Sequence, residues 1–127
     1  MPKVTVESIK NLQTDVRIRQ HLLHGDEAPE IGGEDTAPNP HEFLLAALGN
    51  CTVMTLLVYS KRKGIPLEKV RVELEDGKNG AVAEIRRDIH VEGPLSEEQR
   101  TRLLEIAARC PVHRTLTGEI KILDLLV

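Results

Sequence analysis

The stretch NPHEFLLAALGNCTVMTLLVYSKRKG, residues 39–64, predicts one long apolar helix at the centre of the fold. Asn39 suits the N-cap, Pro40 suits the first helical position, and Glu42 falls where its side chain can reach back to the cap. At the other end a basic run complements the helix dipole, and Gly64 can take the left-handed conformation that ends a helix. Nearly every position between is apolar or small, so we predict that the helix is buried around most of its circumference.

The same helix is the one candidate for a membrane span. Its apolar stretch falls short of about 20 clean apolar residues and contains Gly49, Asn50 and Thr52. A helix buried in protein fits this composition better, so we expect no membrane association. The N-terminus has no apolar region typical of a secretory signal, which favours the cytoplasm.

The composition predicts one domain over residues 1–127. Of the 127 residues 40% are hydrophobic, which is enough to bury a core without disulfides or metals. The net charge of −3 gives no basic surface for nucleic acid. Phe43 and Tyr59 are the whole aromatic set and are too few for base stacking, so we expect no nucleic acid partner.

The order of predicted elements indicates the fold class. Residues 3–9 and 15–23 each alternate apolar and polar side chains, as a strand with one buried face does. Residues 69–93 contain two such runs around a Gly and Asn turn, which predicts a hairpin. A second helix is predicted over residues 95–110, and residues 119–127 are predicted to form a last strand. This order has no regular βαβ alternation and therefore predicts an α+β fold.

Three arginines in the predicted strands are candidates for a site. In the second run, Val16 and Ile18 fall on one face, together with Leu22. Arg17 and Arg19 fall on the other face and therefore point together.

Arg87 is unexpected where it stands in the hairpin. It shares a face with the apolar residues Ala83, Ile85, Ile89 and Val91. A guanidinium in that row either extends to solvent at the sheet edge or meets a buried anion. We keep Arg87 as a minor candidate.

Two cysteines carry the chemistry that the sequence offers. Cys51 and Cys110 form neither a CxxC pair nor the dense pattern of a secreted scaffold. Cys51 shares a helix face with Leu48 and Thr55, and Cys110 continues the apolar line that includes Leu103. Both thiols can therefore meet where the helices pack, provided that their Cα atoms come within about 4.4 to 6.8 Å.

Reactivity requires a thiolate, and a mid-helix cysteine gains little from a helix dipole. Cys51 therefore needs a nearby cation, and Arg17 and Arg19 are the best-placed candidates. Pro111 can begin a new turn in CPVHRTL and leave Cys110 at an N-cap, where the positive end of the dipole favours its anion. Cys110 could then act as a resolving thiol or a leaving group.

Two other interpretations remain open at the level of the residues. Both thiols can simply fill core volume, with the strand arginines on a solvated face. Alternatively, Cys110 and His113 form a C-x-x-H half-site, which Cys51 and His41 could complete as a tetrahedral zinc site.

The motifs APNPHEFLLAALGNCTVMTL and CPVHRTL together resemble the OsmC/Ohr family, the osmotically inducible and organic hydroperoxide resistance proteins. The resemblance covers essentially the whole chain, including DEAPEIGGEDTAPNP before the central helix. The segment LLAALGNCT is similar to the OsmC-like branch rather than to the core hydroperoxide resistance group. The resemblance implies an OsmC-like fold of α+β subunits in an intertwined homodimer.

The resemblance also implies a thiol-dependent peroxidase that acts on organic hydroperoxides. By motif, Cys51 is the peroxidatic cysteine and Cys110 the resolving one. The Cys51 sulfenic acid formed by the peroxide condenses to a Cys51–Cys110 disulfide. A dithiol or a lipoylated protein then reduces the disulfide. On this basis we expect no cofactor and no metal.

Two supporting residues of the family are matched differently in this chain. The family's N-terminal arginine corresponds to either Arg17 or Arg19. Its glutamate follows Asn-Pro directly, whereas here His41 holds that place and Glu42 comes one later. This departure favours a second hypothesis, in which the protein is a non-catalytic OsmC-like protein that binds a small hydrophobic ligand.

Helix geometry limits what Glu42 can do. Glu42 and Cys51 are nine residues apart, which in an unbroken helix means a rise of about 13.5 Å and an offset of about 180°. The two side chains could then not touch within one chain. Either the helix is broken near Gly49 and Asn50, or Glu42 serves the thiol of a partner subunit, which is the route that we favour.

Overall fold

The computed structural model describes residues 3–127, which form two compact units that are described separately. The first unit ends at Leu44, and the second is Leu45–Val127. In chain order the elements are β1 (Val4–Ser8), β2 (Thr14–Ile18), β3 (His21–Gly25), a 3₁₀ turn (Pro29–Ile31), α1 (Pro40–Lys63), β4 (Lys69–Asn79), β5 (Val82–Glu92), α2 (Glu97–Ala107) and α3 (Pro111–Thr117). The predicted α+β fold is confirmed, whereas a single domain over residues 1–127 stays a prediction.

The strands of the first unit form an antiparallel sheet in the order β1-β2-β3. The prediction of one strand over residues 15–23 is wrong, because Ile18 pairs with His21 and Arg19, at φ 56°, lies in the turn between β2 and β3. The turn residues Arg19 and Gln20 are not the Gly, Asn or Asp typical of a two-residue hairpin turn, and so the sequence did not reveal it. Arg17 pairs with Leu22, so these two residues share a face and Arg19 does not continue it.

A buried aspartate organises the loop that follows β3. Asp26 is 3% exposed, and its carboxylate accepts hydrogen bonds from the backbone N–H groups of Glu27, Glu34 and Thr36 and from the Thr36 hydroxyl, at 2.7 to 3.3 Å. The Thr36 hydroxyl is the largest of the causes that hold the pKa of Asp26 below its ordinary value, although burial opposes them. The four donors replace the water that the carboxylate loses on burial.

Both ends of α1 are formed as predicted. The Asn39 N–H donates to Glu42 Oε1 at 2.8 Å, and the Glu42 N–H donates to Asn39 Oδ1 at 2.9 Å. At the other end Gly64 has φ 67°, and the Ile65 N–H donates to the Ser60 carbonyl at 2.9 Å. The capping box and the terminating glycine are therefore confirmed.

Only one side of α1 is packed. The buried residues are Leu48, Gly49, Thr52, Leu56 and Ser60. On the other side Met54 is 60% exposed and Val58 is 49% exposed. The prediction of burial around most of the circumference is wrong for the described chain, because α1 meets its neighbours along a single stripe. By length and composition α1 could also cross a membrane. Core helices of soluble proteins can have the same length and composition.

The core of the second unit lies between α1, α2 and the hairpin. Its buried centre consists of Leu56, Leu103, Ile106 and Ala107. Partly buried apolar side chains surround this centre, namely Tyr59, Leu67, Val70, Ile89, Val91 and Leu95. The predicted hairpin is confirmed, since β4 and β5 pair antiparallel from Lys69 and Glu92 to Asn79 and Val82. This arrangement positions the second strand of the hairpin against the cysteine-bearing helix.

The second predicted helix ends earlier than expected. The capping box of α2 is confirmed, because Ser96 and Gln99 exchange hydrogen bonds between side chain and backbone at 2.9 and 3.1 Å. However, α2 ends at Ala107, and Cys110 belongs to the start of α3.

The predicted strand over residues 119–127 is wrong for the described chain. None of the described residues pairs with this segment, and a strand without a hydrogen-bonded neighbour has no sheet to join. Its apolar side chains are exposed, with Leu123 at 81% and Leu125 at 85%.

Candidate active site

The structure brings the two cysteines together in the second unit. Both are free thiols; Cys51 is half-buried and Cys110 is fully buried. Burial raises the pKa of Cys110, and a hydrogen bond with Cys51 and the charge of Cys51 raise it further. Effects of this kind act between side chains that lie near each other, so Cys51 and Cys110 are neighbours, whereas the Cα distance needed for a disulfide stays a prediction.

Cys110 lies at the N-cap of α3. Its sulfur accepts a hydrogen bond from the His113 N–H at 3.3 Å, and Pro111 takes the first helical position as predicted. The N-cap position acts in the predicted direction, because the His113 N–H lowers the pKa of Cys110, but it does not decide the net pKa. Burial raises the pKa of Cys110 more than the His113 N–H lowers it, and a helix of 7 residues adds little dipole. The neutral thiol is therefore the favoured form of Cys110.

Cys51 lies at the wall of an apolar cleft with a volume of about 630 Å³. Met54, Val58 and Ile106 contribute aliphatic surface to this cleft, whereas Cys110 does not line it. A molecule that enters the cleft therefore meets Cys51 first. The hydroxyl of Thr55 lies 4.0 Å from the Cys51 sulfur and can donate to a thiolate there.

The same cleft has two cationic side chains that sequence reasoning missed. Arg62 and Arg109 both line it. The sequence interpretation assigned Arg62 to the helix dipole, yet it follows Cys51 by 11 residues, close to three full turns. That spacing puts both residues on one face of α1 and could have identified Arg62. Arg109 follows the end of α2, and no local pattern marks it.

Arg87 reaches the site from β5. Its Nη1 atom donates to Thr52 Oγ1 at 3.0 Å and to the Ala107 carbonyl at 3.1 Å. Neither sequence interpretation holds, because this half-buried guanidinium binds a hydroxyl and a carbonyl rather than solvent or an anion. Its place in an apolar row was the signal of a buried partner.

The predicted support residues of the thiolate lie in the first unit. The Nη2 atom of Arg17 is 3.6 Å from Asp15 Oδ2, and the Arg17 side chain is 60% exposed. Arg19 lies in the turn after β2. The assignment of either arginine to the thiolate stays a prediction.

Glu42 serves as a cap of α1, as its hydrogen bonds with Asn39 show. The helix runs from Pro40 to Lys63 without a break at Gly49 or Asn50. The broken-helix route for Glu42 is therefore excluded.

Within residues 3–127, no group of three or more His, Cys, Asp and Glu side chains could hold a metal ion. The zinc hypothesis built on Cys51, Cys110, His41 and His113 thus lacks a ligand set in the described part of the chain.

Comparison with known families decides where this thiol pair belongs. A family model described as OsmC-like protein matches residues 32–123, a range that contains both cysteine motifs. The chain belongs to the OsmC-like family. Among proteins with curated functions, none matches the sequence.

Solved structures share the fold of this OsmC-like chain. An OsmC-like protein from Mycoplasma pneumoniae superposes with a TM-score of 0.79 at 19% identity, over 93% of this chain and 88% of that one. An organic hydroperoxide resistance protein from Legionella pneumophila gives 0.71 at 20% identity, over 93% and 90%. A protein of the same description from Elizabethkingia anophelis gives 0.71 at 19% identity, over 95% and 91%. At these identities the likeness establishes the OsmC-like fold alone.

Proposed function

We propose that this OsmC-like protein is a thiol-dependent peroxidase that reduces organic hydroperoxides in oxidative stress defence. The observation that carries the proposal is the arrangement of the thiols, with Cys51 at an apolar cleft and Cys110 buried next to it. Similar structures described as organic hydroperoxide resistance proteins support the same reaction class.

The first step is nucleophilic attack by Cys51. Its thiolate attacks one peroxide oxygen, the O–O bond breaks, and the organic alkoxide takes a proton and leaves as an alcohol. Cys51 becomes a sulfenic acid. The aliphatic side chains of Met54 and Val58 can cover the organic group of the substrate, which favours an alkyl or aryl hydroperoxide over hydrogen peroxide.

The second step forms the Cys51–Cys110 disulfide. The Cys110 sulfur attacks the Cys51 sulfur, and the sulfenic oxygen leaves as water. Burial and the charge of Cys51 both raise the pKa of Cys110; conversion of Cys51 to an uncharged sulfenic acid removes the second effect. The pKa of Cys110 thus falls once Cys51 is a sulfenic acid, which is the point at which Cys110 attacks. A dithiol or a lipoylated protein then reduces the disulfide by exchange.

The reaction is proposed to take place in an intertwined homodimer in the cytoplasm. The exposed apolar side of α1 and the exposed apolar side chains within residues 119–127 supply surface for a second copy. In this assembly Arg17 or Arg19 supplies the cation for the Cys51 thiolate. Glu42 of the partner subunit approaches Cys51, because the unbroken helix keeps Glu42 away from the Cys51 of its own chain.

A single-turnover experiment tests the peroxidase proposal. Reduced protein is mixed with excess cumene hydroperoxide, and the free thiols are counted. We expect the wild-type protein to lose both thiols, Cys110→Ser to lose its remaining one, and Cys51→Ser to retain its remaining one, because only Cys51 reacts with peroxide. Retention of both thiols by the wild-type protein would contradict the proposal.

A second candidate function is binding of a small hydrophobic ligand without turnover. The volume of the cleft, about 630 Å³, falls within the range of small-molecule sites, and His41 replaces the family's glutamate. Native mass spectrometry of the purified protein distinguishes the two functions. A copurified ligand, with peroxide turnover no faster than that of free cysteine, would favour this candidate.

A further inference from the structure

One guanidinium joins the two segments that carry the cysteines. Arg87 Nη1 donates at 3.0 Å to the hydroxyl of Thr52, the residue after Cys51. The same atom donates at 3.1 Å to the carbonyl of Ala107, the last residue of α2 and three residues before Cys110. The side chain therefore fixes α1 and the end of α2 relative to each other at the thiol pair.

The hydroxyl of Thr52 connects Arg87 with Cys110. Thr52 is fully buried and donates to the Leu48 carbonyl at 2.7 Å. Although burial raises the pKa of Cys110, the nearby Thr52 hydroxyl lowers it. A hydroxyl has one proton and two lone pairs. Thr52 can therefore accept from Arg87 while its proton turns from the Leu48 carbonyl to a thiolate on Cys110.

We propose that Arg87 is a positioning residue for the resolving step, in which it acts through the Thr52 hydroxyl to hold and activate Cys110. The inference rests on the proposed role of Cys110 as the resolving thiol. Donation from a cation polarises the Thr52 hydroxyl and makes it a stronger donor to the developing Cys110 anion. The bond to the Ala107 carbonyl fixes the backbone from which Cys110 attacks.

The step that Arg87 assists is balanced in atoms and electrons. The Cys110 sulfur attacks the Cys51 sulfur, the S–O bond of the sulfenic acid breaks, and the oxygen leaves as water with the proton from Cys110. When glutathione is attached to Cys51, the same attack breaks the S–S bond to glutathione and releases it as a thiol. The second reaction uses no peroxide.

That difference gives a test that is independent of the peroxidase proposal. Reduced protein is treated with glutathione disulfide, and mass spectrometry follows how fast the mixed disulfide on Cys51 converts to the Cys51–Cys110 disulfide. We expect Arg87→Met and Thr52→Val to slow this conversion about tenfold, the effect of losing one hydrogen bond to a charged group. The double variant should be no slower than Arg87→Met, because Arg87→Met already removes the connection through Thr52.

Two matched controls separate positioning from general destabilisation. Arg86 precedes Arg87 on β5, but its side chain is 75% exposed and pairs with Asp88 at 3.0 Å, so Arg86→Met should convert at the wild-type rate. Thr52→Ser keeps the hydroxyl and should convert about tenfold faster than Thr52→Val. If Arg87→Met does not fold, the two Thr52 variants still decide the outcome, because Arg87 keeps its bond to the Ala107 carbonyl in both.

Equal conversion rates for Arg87→Met and Arg86→Met, or for Thr52→Val and Thr52→Ser, would overturn the inference. Failure of the peroxidase proposal has a different signature. In that case cumene hydroperoxide leaves the wild-type thiols intact, while the conversion from the glutathione adduct still reports on Arg87.

Discussion

The two sides of α1 both carry apolar residues but have different surroundings. Along one side, buried residues recur at a spacing of four, namely Leu48, Thr52, Leu56 and Ser60. On the other side Met54, Leu57 and Val58 are between 42% and 60% exposed. The apolar sequence therefore does not tell which side of the helix is packed by its own chain.

Cys51 lies between these two sides. It directly precedes Thr52 of the packed side, yet its own side chain is half-buried and lines the cleft together with Met54 and Val58. The packed side thus fixes where the thiol stands, and the open side leaves it accessible. A thiol can thus be held by packed neighbours on one side of a helix while its other side borders an open cleft.

The largest expected effect concerns the packed side. Leu56 is fully buried, so Leu56→Ala should lower the free energy of unfolding by about 2 to 5 kcal/mol, through lost apolar burial and the cavity left behind. Urea unfolding of the reduced protein measures this. Leu104→Ala on α2 serves as the control because Leu104 is 65% exposed; equal losses for both variants would show that the packed side of α1 has been misassigned.

A charged substitution tests the open side of α1, which carries Met54, Leu57 and Val58. If a second copy covers Met54, Met54→Glu should raise the dissociation constant of the homodimer at least about tenfold, because it would bury an unpaired carboxylate. Sedimentation over a range of protein concentrations measures the association. Lys78→Glu near the exposed hairpin turn makes a charge change of the same sign and should leave association unchanged. A wild-type protein that sediments as a monomer at every concentration would rule out this use of the open side.

A closer test of the packed side uses Gly49. A Cβ atom at this position would come within 2.8 Å of Leu74 Cδ1 on β4. Leu74 must shift to admit it, so Gly49→Ala should lower the free energy of unfolding by about 1 kcal/mol, the strain being partly offset by better helix propensity. Gly77→Ala on β4 is the matched control, since no atom lies near its Cβ position. A thermal transition of Gly49→Ala at or above that of the control would refute this close contact.

The smallest expected effect is the contribution of Cys110 to stability at alkaline pH. Burial raises the pKa of the folded Cys110 thiol above its ordinary value of 9.0. Above pH 9.0 the unfolded chain loses this proton while the folded chain keeps it, so stability decreases with pH until the folded thiol also ionises. One such group lowers the free energy of unfolding by at most about 1.4 kcal/mol per pH unit.

The measurement is the free energy of unfolding of reduced protein as a function of pH, for the wild type and for Cys110→Ala. We expect the wild-type curve to fall more steeply above pH 9.0. Parallel curves would show that the Cys110 thiol is not protected by burial.

Local signals in the sequence predicted the elements that depend on neighbours along the chain. The limits of α1 follow from Asn39, Glu42 and Gly64, and the N-cap position of Cys110 follows from Pro111. Each of these features requires only groups within a few residues of one another. The α+β order and the thiol pair were accessible for the same reason, together with the family resemblance.

The sequence predictions were wrong where residues distant in sequence decide the local structure or the pKa. The sequence of residues 15–23 did not reveal the turn at Arg19, because Arg19 and Gln20 are not typical turn residues and only the pairing of Ile18 with His21 shows the turn. Residues 119–127 have the pattern of a strand, but a strand exists only where another one pairs with it. Similarly, the N-cap position of Cys110 could not reveal how strongly burial raises its pKa.

The sequence by itself determined the limits of α1, the start of α2, the hairpin and the fold class, since capping, periodicity and motif are properties of neighbouring residues. Only the tertiary structure decided that Cys51 is accessible, that Cys110 is buried, and that Arg87 connects their two segments. Its hydrogen bonds reach residues 35 and 20 positions away. The physical reason is that burial and desolvation depend on groups that meet only when the chain folds, so no local pattern records them.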